Sequence, residues 1–177
     1  AQAREDIAAR ISALMAAESL GAEVMLRTGD VRDEAFVRAT CRQALQHFGR
    51  LDVAFHLAAT VGSGVLSLRA PGELEAAFAT KVRSARALAE ATDQNTRLVF
   101  FSSLLGWTGA PGQGDYAAAN AGLDALAMSL AASRPCCSLA WDAFAEVGMA
   151  ARAGFAKRAS LPLGAAQSRA LHPLLEE

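Results

Sequence analysis

Residues 97–120 read RLVFFSSLLGWTGAPGQGDYAAAN and carry the clearest structural signal in the chain. The first seven, RLVFFSS, are mostly apolar and end in two serines, which is typical of a strand buried within a parallel sheet. The glycine-rich stretch 106–114 then predicts a loop, and the alanine-rich stretch 115–133 predicts a long helix. A buried strand, a loop and a helix in this order predict an α/β protein.

The rest of the chain continues this alternation. Apolar spacing predicts further helices over 3–20, 34–48 and 73–91, and further strands over 22–28, 51–59 and 137–142. Asp33 is placed to cap the second helix, and Gly49 is placed to end it. The order α-β-α-β-α-β-α-β predicts a Rossmann-like, doubly wound parallel sheet with helices on both faces.

The composition fits one globular domain. The chain has 177 residues, of which 53% are hydrophobic but only 6% aromatic, because 42 are alanine. We therefore expect a core of small side chains at close helix–sheet contacts. A net charge of −1 gives no electrostatic argument for nucleic acid binding. The sequence also lacks the run of about 18 apolar residues that a membrane span needs.

The cysteines point to a reducing compartment. Cys41, Cys136 and Cys137 are odd in number and include an adjacent pair, which is not a disulfide framework. Their spacing matches no zinc pattern, so we expect no metal site. The first residues, AQARED, lack the apolar core of a signal peptide. The expected location is the cytoplasm.

Four polar residues stand at a strand end or on a helix facing it: Lys81, Ser103, Tyr116 and Asn120. Taken singly, each has an ordinary structural interpretation, such as a packed tyrosine or a solvated lysine. Ser103 nevertheless ends a buried strand, where open α/β sheets bind their ligands. Tyr116 and Asn120 are four positions apart and share one helix face. The joint spacing predicts a catalytic site.

This spacing resembles the short-chain dehydrogenase/reductase superfamily, and within it the ketoreductase domains of polyketide and fatty-acid synthases. Ser103 precedes Tyr116 by thirteen positions, and Tyr-Ala-Ala-Ala-Asn places Asn120 where ordinary members have lysine. In synthase ketoreductases the lysine and asparagine are exchanged, and Lys81 follows that exchanged pattern. Further matching segments are GDVRD at 29–33, LDVAFHLAA at 51–59, TKV at 80–82 and LAWDAFAEVGMA at 139–150.

The resemblance implies a reaction and a role for each residue. NADPH would deliver hydride to the ketone of a β-ketoacyl thioester, carried on the phosphopantetheine arm of an acyl carrier protein within a multidomain synthase. Tyr116 would donate the proton as general acid, and Lys81 would stabilise its phenolate. Ser103 would orient the substrate carbonyl, and Asn120 would complete the polar network.

The resemblance also implies cofactor contacts. Asp30 and Val31 match the family's pair beside the adenine, and Ala58 and Ala59 match a turn of small residues beside the ribose. The segment 141–144 replaces the family's Trp-Gly-Pro-Trp, without its glycine and proline. His56 is interpreted as a core or strand-end histidine.

One expected feature is missing from the sequence. No Gly-x-Gly-x-x-Gly fingerprint follows a first strand, so residues 1–150 are interpreted as the catalytic part of a ketoreductase without its first two strands and phosphate loop. Residues 151–177 are interpreted as a tail of the same domain. The strand at 22–28 would then lack its neighbour, and the strand at 51–59 would have an exposed apolar edge. We therefore expect no competent reductase from residues 1–177 alone.

Two other functions remain open from the sequence. The chain could be a stand-alone short-chain reductase acting on a free carbonyl compound, although the exchange of Lys81 and Asn120 disfavours this. It could also be a non-catalytic, reductase-like scaffold. A scaffold has no need of all four polar residues, whereas this chain keeps them.

Overall fold

A computed structural model describes residues 2–60 and 64–142. The chain forms two compact units, Ala1–Asp30 and Val31–Glu177. The predicted tail at 151–177 and the end of the predicted catalytic part, 143–150, lie outside the described residues.

The first unit contains one helix, α1 (Gln2–Ser19), followed by a turn in which Gly21 has φ 86°. A left-handed backbone is accessible to glycine at little cost, which explains the helix end. The predicted strand at 22–28 is wrong, since these residues form no strand. Strands are stabilised by hydrogen bonds to a neighbouring strand, and no described strand pairs with this segment.

The second unit alternates helices and strands. Its elements are α2 (Glu34–Phe48), β1 (Val53–His56), a 3₁₀ turn (Leu66–Leu68), α3 (Pro71–Phe78), a π turn (Ala79–Arg83), α4 (Ser84–Ala91), β2 (Arg97–Ser103), α5 (Leu105–Thr108), α6 (Gly114–Ala131) and β3 (Cys136–Trp141).

Both predicted ends of α2 are confirmed. The Asp33 carboxylate accepts a hydrogen bond from the Ala35 N–H at 2.9 Å, which satisfies a donor of the first turn. Gly49 adopts φ 79° and donates its N–H to the Leu45 carbonyl. These local signals are read correctly from sequence because they involve only neighbouring residues.

The three strands form a parallel sheet in the order β1-β2-β3. β1 therefore lies at the edge of the described sheet, and its apolar side is exposed, as predicted: Phe55 keeps 48% of its surface accessible. The nearly continuous apolar run LDVAFHLAA at 51–59 predicts a strand buried on both faces, and this prediction is wrong. Of its four residues only His56 is buried, because only one face is covered.

The core lies on one face of the sheet. Leu98 and Phe100 of β2 are fully buried against alanines of α4 and against Leu123 of α6. Small side chains let the helices approach the strands closely, which accounts for the alanine-rich composition. At Gly122 on α6 a Cβ would lie 3.1 Å from the Phe78 ring, so even one methyl group would crowd this contact.

The opposite face carries an aromatic row that crosses the three strands. Phe55 meets Phe101 edge to face, and Phe101 stacks on Trp141 at 5.6 Å between ring centroids. Across the described ranges, no helix is long and apolar enough to cross a bilayer. Within the same ranges, no cluster of three histidine, cysteine or acidic side chains is arranged to hold a metal ion.

Candidate active site

Ser103 is the last residue of β2, at the edge of the sheet where the parallel strands end. It is buried, and its Oγ accepts a hydrogen bond from the Leu105 N–H at 3.2 Å. This contact fixes the hydroxyl oxygen while leaving its proton available to a ligand. Open α/β sheets bind ligands at this edge.

Lys81 lies on a π turn inside the helix that the sequence predicts as continuous over 73–91. The turn, Ala79–Arg83, joins α3 and α4 and widens the helix locally. Such π turns are frequent at functional sites because they re-aim a side chain. Lys81 is 97% buried, and its Nζ donates to the Phe101 carbonyl at 2.5 Å. The lysine thus reaches across to β2, two residues before Ser103.

His56 supports the π turn through Ser84. The Ser84 hydroxyl donates to the Thr80 carbonyl at 2.5 Å, so it accepts a hydrogen bond from His56 Nε2, which lies 2.6 Å away. Burial and the nearby charge of Lys81 lower the pKa of His56 to about 4, so the ring is neutral at pH 7. The interpretation of His56 as a core histidine is confirmed. Ser84 was not singled out by the sequence, since nothing local distinguishes it.

Tyr116 lies on the first turn of α6 and faces Lys81. The Lys81 Nζ is 5.8 Å from the centroid of the Tyr116 ring, within the range of a cation–π contact. Burial lowers the pKa of Lys81 to about 8, and Asp124 acts in the opposite direction. Lys81 is therefore a poorly hydrated cation beside the tyrosine.

Asn120 connects the two sides of the site. Asn120 is fully buried, and its side-chain Nδ2 donates to the backbone carbonyl of Tyr116 at 2.7 Å. The backbone carbonyl of Asn120 accepts a hydrogen bond from the Ser102 hydroxyl at 3.4 Å. Its Oδ1 has no hydrogen-bond partner among the described residues. A buried acceptor of this kind is costly unless something donates to it. A water molecule, a ligand or the Lys81 ammonium could fill that role.

The structure links three of the four predicted catalytic residues by direct contacts, and Ser103 lies at the end of the strand that Lys81 reaches. Lys81 contacts the ring of Tyr116 and the strand that ends in Ser103, and Asn120 bonds the backbone of Tyr116. The sequence reasoning missed Arg69 and Asp115. Asp115 precedes Tyr116 and is buried in an ion pair with Arg69, a contact between residues 46 positions apart.

The predicted cofactor residues fall into two groups. Asp30 is exposed and ends the first unit, whereas Val31 is half-buried and begins the second. Ala58 and Ala59 are half-buried and follow β1 at the same sheet edge as Ser103. Of the segment 141–144, Trp141 ends β3, while residues 143 and 144 lie outside the described ranges.

One observation bears on a bound dinucleotide. The Oδ1 of Asn120 is buried and has no hydrogen-bond partner among the described residues, so it offers an acceptor to a ligand. Ala58 and Ala59 follow β1 with small side chains, as the resemblance implies for a turn beside the ribose. The diphosphate end has no matching element in the sequence, because the glycine fingerprint is absent from residues 1–177. Within this chain the fit is therefore partial.

The described fold is the one found in short-chain dehydrogenases. A solved short-chain dehydrogenase from Streptomyces avermitilis superimposes with a TM-score of 0.61 over 66% of this chain and 45% of its own, at 23% identity, which supports the fold. The family model described as the KR domain matches residues 1–146, so the chain belongs to the ketoreductase (KR) domain family of polyketide synthases.

Two curated polyketide synthase proteins are similar in sequence to this chain. The spectinabilin polyketide synthase system protein NorA′ of Streptomyces orinoci is 40% identical over 129 residues, 72% of this chain and 4% of its own length. The polyketide synthase GfsB of Streptomyces halstedii is 37% identical over 168 residues, 86% of this chain and 3% of its own. The chain therefore spans a small fraction of these relatives.

Proposed function

We propose that this chain supplies the catalytic residues for NADPH-dependent reduction of a β-ketoacyl thioester to the β-hydroxyacyl thioester. Membership of the KR family makes it an oxidoreductase segment of a family that uses a nicotinamide cofactor. The main support for this proposal is the position of the buried Lys81 ammonium. It lies beside the Tyr116 ring and donates a hydrogen bond to β2 close to Ser103, which ends that strand.

The proposed roles follow from the chemistry of carbonyl reduction. A reduced nicotinamide, when bound, supplies the hydride, and negative charge develops on the substrate oxygen. Ser103 donates a hydrogen bond to that oxygen, and Tyr116 transfers its proton to it. The buried Lys81 cation places a positive charge beside the Tyr116 ring, where negative charge is left once the proton is transferred. Asn120 holds the backbone of Tyr116 and keeps one acceptor for a water that returns a proton.

The proposed substrate is tethered to the phosphopantetheine arm of an acyl carrier protein. The support is the similarity to multidomain polyketide synthases, which makes neighbouring synthase domains plausible partners. The cytoplasm is the proposed location, consistent with three cysteines that are free in the structure.

The first test removes the Tyr116 hydroxyl. Tyr116→Phe should lower kcat by about 100-fold to 10,000-fold, the usual contribution of a general acid. The measurement is NADPH oxidation with a β-ketoacyl pantetheine thioester, using the complete polypeptide that carries residues 1–177. Equal rates for Tyr116→Phe and the parent would refute the assigned acid.

Matched variants and substrates separate the alternatives. Ser103→Ala should also be slow, whereas Ser133→Ala should match the parent, because Ser133 is an exposed serine bonded to the Leu130 carbonyl at the far end of α6. Faster turnover of a free small ketone than of the thioester would favour a stand-alone reductase. Absence of turnover with either substrate would favour a scaffold.

A further inference from the structure

The strongest unexplained feature near the site is a buried ion pair. The Arg69 guanidinium pairs with the Asp115 carboxylate, and the two side chains expose only 12% and 4% of their surface. Charged side chains are rarely buried, because desolvation opposes the Coulombic gain. The pair is not needed for the covalent chemistry proposed above, so its presence one residue before Tyr116 calls for a function.

Arg69 bridges the first turns of two helices. Its Nε lies 2.7 Å from the Glu73 carboxylate at the start of α3, while its Nη2 pairs with Asp115 at the start of α6. α3 leads into the π turn that carries Lys81, and α6 carries Tyr116. One guanidinium therefore joins the amino-terminal ends of the two helices that supply the catalytic cation and the catalytic acid.

Asp115 passes this restraint directly to Tyr116. One carboxylate oxygen, Oδ2, is held by Arg69, and the other, Oδ1, accepts the Tyr116 N–H at 2.9 Å. A carboxylate also interacts favourably with the positive end of a helix dipole. With both oxygens bonded, the carboxylate fixes the backbone of Tyr116 as well as the end of α6.

One further contact joins the loop that carries Arg69 to the segment before Tyr116. The Gly64 N–H donates to the Gly112 carbonyl at 3.1 Å. This hydrogen bond and the Arg69–Asp115 pair both connect the described part of the loop after β1 to the segment that leads into Tyr116.

We propose that Arg69, acting through Asp115, is a positioning residue that holds Tyr116 against Lys81 for the reduction. The inference rests on the proposed function, in which Tyr116 is the acid. A positioned acid loses much of its effect when it is displaced, and a shift of about 1 Å can cost roughly 100-fold in rate. The ion pair is thus a rigid support for the acid and does not touch the reacting atoms.

The test compares two variants with the parent in the complete polypeptide. Arg69→Met leaves the Asp115 carboxylate buried without its partner and should lower both the melting temperature and kcat. Arg69→Met with Asp115→Asn removes both charges, which commonly restores stability. We expect this double variant to regain its melting temperature, with kcat still lower by about 10-fold to 100-fold. Recovery of the parent kcat in the double variant would overturn the proposal, because the pair would then serve stability alone.

A control variant and a second measurement separate a positioning role of Arg69 from a purely stabilising role. Arg86→Met breaks an exposed pair with Glu90 and should change neither quantity. Hydrogen exchange of the amides at 113–119 should accelerate in the double variant, while exchange at 123–131 should not. If the parent polypeptide fails to reduce the thioester, the proposed function fails, and unchanged exchange at 113–119 would overturn the positioning role independently.

Discussion

At the scale of single residues, Lys81 is a charged side chain in a buried position, and burial favours its neutral form. The pKa of Lys81 falls from 10.5 to about 8 because the side chain is removed from water. Holding the proton at pH 7 therefore costs on the order of 3 kcal/mol of folding free energy. Functional sites commonly give up stability in this way, in keeping with the catalytic role proposed for Lys81.

This cost predicts a pH dependence with a defined sign. Between pH 8 and 10.5 the unfolded chain binds a proton at Lys81 that the folded chain has released, so stability from this group rises with pH over that window. Lys81→Met lacks the effect. The parent should therefore gain melting temperature relative to Lys81→Met as the pH is raised from 8 to 10.5, while its kcat falls. Parallel melting curves for the two proteins across this range would contradict the assignment.

At the scale of elements, α4 depends on a residue outside it. Arg134 is buried, donates to the Ala89 carbonyl near the end of α4 at 2.6 Å, and also donates to the carbonyls of Asp93 and Thr96 in the turn before β2. The last carbonyls of a helix have no partner inside it, and a cation there is favourable. Arg134 therefore joins the end of α4 to the start of β2, at the edge of the sheet opposite to Ser103.

Removing this cap should affect stability and leave chemistry intact. Arg134→Met leaves buried carbonyls without donors, which should cost about 3 kcal/mol of unfolding free energy. Arg50→Met is the matched control, because Arg50 is exposed and pairs with its near neighbour Asp52 in an exposed salt bridge. Denaturant unfolding gives the stability, and kcat of the folded fraction should equal that of the parent. A large fall in kcat for Arg134→Met would show that the two edges of the sheet are coupled.

At the scale of the whole molecule, the described sheet ends in an edge strand with exposed apolar side chains. Among the described strands β1 pairs only with β2, and Val53 and Phe55, on the uncovered face, expose 41% and 48% of their surface. Exposed strand edges of this kind favour association with other strands. The superfamily resemblance implies a further strand at this edge, and none of the described residues forms one there.

This edge predicts the behaviour of residues 1–177 expressed alone. The polypeptide should self-associate with increasing concentration, and Phe55→Lys should shift it toward the monomer, because charge on an edge strand discourages pairing. Leu26→Lys is a control, since Leu26 is also exposed but belongs to the first unit and to no strand. Sedimentation velocity would measure both. A monomeric parent that bound NADPH tightly would contradict the expectation that this segment is incomplete.

Local patterns accounted for much of this protein. The alternation of elements, the caps at Asp33 and Gly49 and the strand that ends in Ser103 all depend on residues close in sequence, so periodicity and spacing reveal them. The joint spacing of Ser103, Tyr116 and Asn120 likewise sufficed to indicate the family before any contact was known.

Long-range contacts settled the rest. Residues 22–28 form no strand, because a strand is stabilised by hydrogen bonds to a neighbouring strand and no described strand pairs with this segment. Sequence patterns did not reveal the π turn that carries Lys81. They also did not reveal the hydrogen bond between His56 and Ser84 or the Arg69–Asp115 pair, because these residues lie far apart in sequence. Burial also lowers the pKa of Lys81, and burial depends on tertiary packing. The spacing in the sequence therefore predicts which residues are catalytic, whereas the contacts that surround Lys81 and Tyr116 arise only in the tertiary structure.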